Sequence, residues 1–292
     1  MCFKMDFHFS SIESFIGDYY DGNLNPFTRG GFSKVYKYDK KIYIVQPYNE
    51  AVEVIYDKLQ LLQDQNHILL PTDTSFVLKD KNNNDEELVL EFEPCSGDLF
   101  LDKMDKGSEV ALNSIRSNLA EYDEQFQKIE ALVKSIHKLG IRTMDIKPSN
   151  MLFCENNIIK MTDFGGSKYY DGRQWKGKGA GTLGYAAGSW KDSKELDDYQ
   201  EDLFALYLSF VEIIESKPLE DGFLDKLKKG SVRVQNMLNK AQNGLSKKWL
   251  NKMNKIHDYK VSTNIRKPKK RRNSRRISIS DLKKLNRSLL KL

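Results

Sequence analysis

Hydrophobic positions along the chain change their period once. Between about residue 27 and residue 92, short apolar runs (VYKY, IYIV, ELVLEF) are separated by polar turns and predict strands. One stretch there is helical instead, with Val52, Ile55, Leu59 and Leu62 recurring every three or four residues. Beyond residue 92 the helical period takes over. Phe126, Ile129, Leu132, Val133 and Ile136 make one amphipathic face ended by Gly140, and Leu203, Leu206, Phe210, Ile213 and Ile214 make another. KDKNNNDEE near residue 82 predicts a solvated hairpin tip, and DGRQWKGKGAG near 175 predicts a loop. The order implies an α+β chain, a small β-rich lobe followed by a larger helical one. No internal repeat is present.

Composition is that of an ordinary globular protein, 39% hydrophobic and 11% aromatic over 292 residues. Cys2, Cys95 and Cys154 are scattered, with no CxxC and no partner at metal-ligand spacing, and are expected to be reduced thiols of a cytosolic chain. The N-terminus lacks a signal-peptide pattern and no window approaches 18 apolar residues, so membrane insertion is not expected. Eight of the Lys and Arg residues fall between Arg266 and Arg276; without them the balance is 39 basic to 41 acidic, so the net charge of +6 belongs to one segment.

The chemistry concentrates in GIRTMDIKPSNMLF followed by IIKMTDFGGS. A carboxylate (Asp145), a cation two residues on (Lys147), an amide (Asn150) and a second carboxylate thirteen residues after it (Asp163) are separated by an apolar hairpin. Phosphoryl transfer needs these parts: a carboxylate for the substrate hydroxyl proton, a cation near the moving phosphate and oxygen ligands for magnesium. The pattern resembles the catalytic loop and metal-binding DFG of the protein kinase superfamily, serine/threonine type.

That resemblance covers roughly residue 27 to the C-terminus. It implies a bilobal kinase-like fold with an N-terminal extension (1–26), an N-lobe (27–93) and a C-lobe (94–292) that includes a basic inter-helix loop (264–276). It also implies ATP and Mg2+ as cofactors, Asn150 and Asp163 as metal ligands, and a protein substrate. RGGFSKVYK resembles the glycine-rich loop over the phosphates, with Gly30, Gly31 and Val35 at the nucleotide. LVLEFEPCSGDLF resembles the strand and hinge that hold adenine, with Leu90 as gatekeeper and Glu91 to Glu93 offering backbone hydrogen bonds; Leu152 joins these nucleotide-binding residues. Thr182, in GTLGYAAGSW, stands where serine/threonine kinases contact the catalytic Asp, and Asp202 where a buried helix Asp braces the catalytic loop. RRISISDLKKL resembles the family's last helix, with Arg276 at its entry.

Several positions depart from the family. Gln46 ends the third strand where a lysine should hold the phosphates; strand alternation aims it at the nucleotide, but an amide cannot pair with the helix carboxylate assigned to Glu53, or alternatively Glu50. With-no-lysine kinases take that cation from the glycine-rich region, yet Ser33 occupies the corresponding place here and Lys34 faces outward by alternation; Lys37 and Lys41 lie nearby. Ile44 replaces the usual Ala beside adenine, where added methylenes cost about 1–3 kcal/mol. Thr143-Met144 replaces His-Arg, the residues from Lys168 to Ala180 contain no Ser or Thr, and Gly188-Ser189 replaces Pro-Glu, leaving Asp192 or Glu195 to partner Arg276. Loss of both the arginine clamp and its acceptor argues that Ser/Thr phosphorylation does not switch this loop.

Three readings follow: a serine/threonine protein kinase, whose activity the missing lysine would reduce unless another cation compensates; a pseudokinase scaffold or allosteric partner that binds nucleotide weakly or not at all; and, against the Lys147 and Thr182 pattern, a kinase-fold enzyme acting on small molecules. Arg266–Arg276 reads either as a solvated loop or as a patch for an acidic partner or an import receptor, which would add nuclear entry to an expected cytoplasmic location. Nucleic acid is not an expected partner, because no aromatic platform interleaves the basic residues.

Overall fold

The computed structural model describes residues 11–29, 33–63, 65–72, 76–79, 86–95, 97–98, 111, 113–115, 117–179, 181–182, 185, 196–215, 244–261 and 276–278. Gly30, Gly31, Gly188, Ser189, Asp192 and Glu195 lie outside them, as does the basic stretch up to residue 275. The chain forms two compact units, 1–49 with 71–94 and 269–292, and 50–70 with 95–268.

In the first unit the predicted strands form: β1 (Thr28–Arg29), β2 (Lys34–Tyr38), β3 (Lys41–Pro47), β4 (Phe76–Lys79) and β5 (Glu86–Phe92), paired antiparallel in the order β1-β2-β3-β5-β4. β2 and β3 meet through Asp39 and Lys40, both at positive φ, the geometry whose twist matches a tight hairpin. β4 and β5 pair up to Lys79 and Glu86, as the arms of the expected hairpin would. Alternation gives the sheet two faces. Tyr36, Tyr43, Val45 and Val89 on one face pack with Phe15 and Ile16 of helix α1 (Ser11–Tyr20). Phe15 stacks on Tyr43 with ring centroids 4.1 Å apart and takes the edges of Tyr36 and Tyr38. Tyr38 donates to Asp18 at 2.7 Å and Tyr19 to Glu87 at 3.1 Å. Helix α1, within the N-terminal extension, is thus part of the first unit's core.

In the second unit, α2 (Glu50–Leu59) buries Val52, Ile55 and Leu59 as their spacing predicts, while Leu62 lies just beyond it and is not buried. The order continues with β6 (Gly97–Asp98), α3 (Leu119–Lys138), β7 (Ile141–Arg142), β8 (Met151–Cys154), β9 (Ile158–Met161), β10 (Lys168–Tyr170), β11 (Trp175–Gly177), α4 (Asp198–Glu215) and α5 (Gly244–Asn254). α3 and α4 bury the two predicted apolar faces. Phe126 stacks on Phe210 at 4.3 Å and Trp249 of α5 packs edge-on against both. Buried Glu130 joins the three helices by accepting from Tyr207, Lys134 and Lys252. Gly140, at φ 72, turns the chain out of α3 into β7.

Three sequence expectations are corrected. Residues 168–177, read as part of a loop, contain β10 and β11, which form a three-stranded sheet with β7. Cys95 and Cys154, read as reduced thiols, are joined in a disulfide, their Cα atoms 4.3 Å apart. The pairing of β6 with β8, Gly97 opposite Phe153, brings these residues together across 59 positions. Arg276, read as the entry to a last helix, begins a final strand, β12 (Arg276–Ser278), which pairs with β4 in parallel and gives the first unit its sixth strand.

Removing the Phe15 ring should leave a cavity beneath Tyr43 that the sheet cannot close. Phe15→Ala is expected to destabilise the protein by roughly 3–5 kcal/mol in urea unfolding; a change below about 1 kcal/mol would show that α1 is not part of the core.

Candidate active site

The second unit's site is built around the turn after β7. Asp202, inside α4 and 2% exposed, accepts the Thr143 amide on Oδ2 at 2.6 Å and the Met144 amide on Oδ1 at 2.9 Å. Buried His137 places Nε2 3.2 Å from the same Oδ2, and its Nδ1 lies 3.0 Å from the Tyr259 hydroxyl. Met144 is held at φ 69, a left-handed conformation that costs a side-chain-bearing residue about 1–2 kcal/mol. The bonds from Asp202 offset that cost and fix where the next residue, Asp145, emerges.

Asp145 gathers three partners. Its Oδ1 accepts the Thr182 hydroxyl at 2.6 Å, its Oδ2 accepts the Lys147 ammonium at 2.8 Å, and Asn150 Nδ2 lies 2.8 Å from its backbone oxygen and 3.1 Å from Oδ2. Lys147 also donates to Thr182 Oγ1 at 2.8 Å. The four residues picked from spacing and family likeness therefore form one network. Gly181 is required for it: a Cβ there would lie 2.5 Å from the Met144 carbonyl oxygen, so a side chain would push Thr182 away.

Asp163, at φ 60, opens the turn after β9. Phe164 is turned into the core with its ring edge-on to Tyr56 of α2, while the Asp163 residue keeps an exposed edge. The carboxyl is nevertheless crowded by protein atoms. Loss of hydration and, second, the negative charge of Asp145 raise its pKa above the ordinary 3.8, with Lys147 acting against them. A divalent cation would relieve that repulsion. With Nδ2 of Asn150 directed at Asp145, its Oδ1 remains for such an ion, and carboxylate plus amide oxygen suit magnesium.

Sequence reasoning missed several supporting groups. Arg142 pairs with Asp198 and Glu201 at the start of α4. Ser167 donates to the Thr143 carbonyl at 3.1 Å, whereas the Thr143 hydroxyl is buried without a partner among the described residues. Lys58 of α2 donates to the Leu139 carbonyl at 2.8 Å and sits over the Tyr169 ring; burial lowers its pKa. Glu53 is half-buried in the first turn of α2, and Leu152 is half-buried in β8.

In the first unit, Val35, Ile44 and Leu90 are level across β2, β3 and β5 and form one row on the face away from α1. Gln46 shares that face two residues along β3, level with Leu88. It is 6% exposed, and its Nε2 has no hydrogen-bond partner among the described residues. The neighbouring lysines are engaged elsewhere: Lys34 sits 5.9 Å from the Tyr19 ring centroid on the α1 side, Lys37 lies 3.8 Å from that of Phe27, and Lys41 pairs with Glu93. Glu91 accepts Tyr43 and Thr72 hydroxyls on its carboxylate and the Thr72 amide on its carbonyl. One carbonyl lone pair is thus already used at a residue expected to offer its backbone to adenine.

A family model described as Protein kinase domain matches residues 29–286. The chain belongs to the protein kinase family. The matched span takes in both units, including the glycine-rich segment and the Asp145 network. Among its relatives, the serine/threonine-protein kinase greatwall of Xenopus laevis is 27% identical over 171 residues, 54% of this chain and 17% of that protein. Mitogen-activated protein kinase kinase 9 of Arabidopsis thaliana is 31% identical over 156 residues, 50% of this chain and 46% of its own. Aurora kinase of Saccharomyces cerevisiae is 35% identical over 91 residues, covering 31% and 24%. This kinase chain thus spans less than half the length of these relatives.

The turn between β7 and Asp145 rests on a single buried carboxylate. Asp202→Ala would orphan the Thr143 and Met144 amides and is expected to cost roughly 3–5 kcal/mol in urea unfolding. A loss under 1 kcal/mol would assign the support of this turn to other groups.

Proposed function

We propose that this kinase transfers the γ-phosphate of ATP to serine or threonine hydroxyls of a protein substrate, with magnesium. The observation that carries the reading is the Asp145 network: a carboxylate held by Lys147, Thr182 and Asn150. A carboxylate has lone pairs for about four donors, so a substrate hydroxyl can still be oriented at Asp145 and give up its proton there. Lys147, already beside Asp145 and Thr182, supplies positive charge where the substrate oxygen meets the phosphate. Bound magnesium would draw together phosphate oxygens and neutralise their charge. Asn150 and Asp163 are the residues that would hold it.

Gln46 supports a second reading, the pseudokinase. Its orphan Nε2 is a neutral donor that could turn to an acceptor such as a phosphate oxygen, but it brings none of the charge of an ammonium. The two readings separate on magnesium-dependent transfer from ATP to a generic basic protein, compared with an Asp163→Asn control. Equal signal from both would favour the pseudokinase.

Within the kinase reading the two carboxylates have different tasks. Asp145→Asn and Asp163→Ala are each expected to lower transfer by about 10³-fold or more, while only Asp163→Ala also weakens magnesium-nucleotide binding in calorimetry. Full activity in either variant would refute the assignment.

Gln46→Lys returns a cation to the face shared with Val35 and Ile44. It is expected to raise nucleotide affinity or turnover. If it does neither and Lys34→Ala or Lys41→Ala abolishes transfer, the phosphate cation comes from another position.

A further inference from the structure

A pocket of about 360 Å³ opens within the second unit between α3, α4, α5 and the turn that follows α5. No residue of the Asp145 network lines it, and its volume falls in the range of roughly 300–1,000 Å³ typical of small-ligand sites. Its apolar part comes from Leu203 and Tyr207, neighbours one turn apart on α4, and from Ile256, all three buried. The half-buried Tyr259 adds a ring. The charges of the lining do not balance. Lys134, Lys252 and Lys255 are set against Glu130 and Asp258, and Glu130 is already shared by Lys134, Lys252 and the Tyr207 hydroxyl. Lys255, exposed just beyond α5, pairs with no carboxylate among the described residues. One positive charge is therefore in excess beside apolar surface.

Tyr259 connects this pocket to the catalytic turn. Its backbone carbonyl accepts the side-chain amide of Gln200 at 3.0 Å, on the helix that carries Asp202. Its hydroxyl lies 3.0 Å from Nδ1 of His137, whose Nε2 lies 3.2 Å from Asp202 Oδ2, the oxygen that accepts the Thr143 amide at 2.6 Å. His137 is 0% exposed, so a displacement felt at one ring nitrogen is passed to the other through a close-packed interior. A wall of the pocket thus reaches the turn before Asp145 through consecutive polar contacts.

We propose that this pocket is a regulatory site for a small carboxylate with an apolar body, which on binding steadies the chain Tyr259–His137–Asp202 and with it the turn before Asp145. The carboxylate meets the lysine excess, Lys255 above all. A monoanion matches a single excess charge, whereas the second charge of a phosphate ester would be set against Glu130 and Asp258. The apolar body lies against Leu203, Ile256 and the Tyr259 ring. A ligand held there favours the arrangement in which Tyr259 borders the pocket and its hydroxyl stays on His137, so binding and the order of the turn are coupled.

Neither binding nor the response of the turn requires phosphoryl transfer, so a chain without activity tests the site equally well. The full chain is titrated with 2-naphthoate by calorimetry, and with 2-naphthamide as its neutral counterpart. The acid is expected to bind about fivefold more tightly than the amide, and Lys255→Ala is expected to remove most of that preference. At saturation with the acid, hydrogen exchange at the Thr143 and Met144 amides should slow on the order of fivefold, while the β2 and β3 amides of the first unit keep their rates. Tyr259→Phe retains the ring and lacks the hydroxyl; it should bind the acid as the unaltered chain does and lose the slowing. No binding of 2-naphthoate, equal binding of acid and amide, a preference that survives Lys255→Ala, unchanged exchange at Thr143 and Met144, or slowing that persists in Tyr259→Phe would each overturn the proposal.

Discussion

A single buried carboxylate organises the larger unit. Asp202 takes two consecutive amides, Thr143 and Met144, and lies against His137, so the residue with the least favourable backbone in the region is held by the strongest available acceptor. Because Met144 is left-handed, the chain leaves it toward Thr182 and not along β7. Asp145, Lys147 and Asn150 then close on one another. The strain sits one residue from the chemistry and is held by a group that takes no part in it.

Charge is distributed differently within each of the two units. In the second unit Lys147 has the Asp145 carboxylate beside it, and the Asp145 charge opposes that of Asp163, a repulsion that a divalent ion would relieve. In the first unit, the face away from α1 is neutral along the described residues of its central row: Val35, Ile44, Leu90 and then Gln46.

Most of the fold could be read from local patterns. Short apolar runs placed β2, β3 and β5, alternation gave the face to which Gln46 belongs, and the spacing of Asp145, Lys147, Asn150 and Asp163 singled out groups of the same unit. What escaped depended on distant pairing. The Cys95–Cys154 bond exists because β6 lies on β8, and no cysteine spacing encodes that contact. His137 is a single histidine on a helix face, a position usually silent in sequence. β12 was read as the start of a helix from its resemblance alone, although Ile277 and Ile279 already alternate with serines at the period of a strand.

Helix α1 bears on where this domain begins. The family match starts at residue 29, yet Phe15 and Ile16 are completely or almost completely buried against Tyr36, Tyr43, Val45 and Val89. A fragment trimmed to the family's bounds would keep every group proposed for catalysis and yet leave a broad aromatic face open to water. Such a face invites association with other chains. For this kinase, the border of shared ancestry and the border of the folding unit are different places.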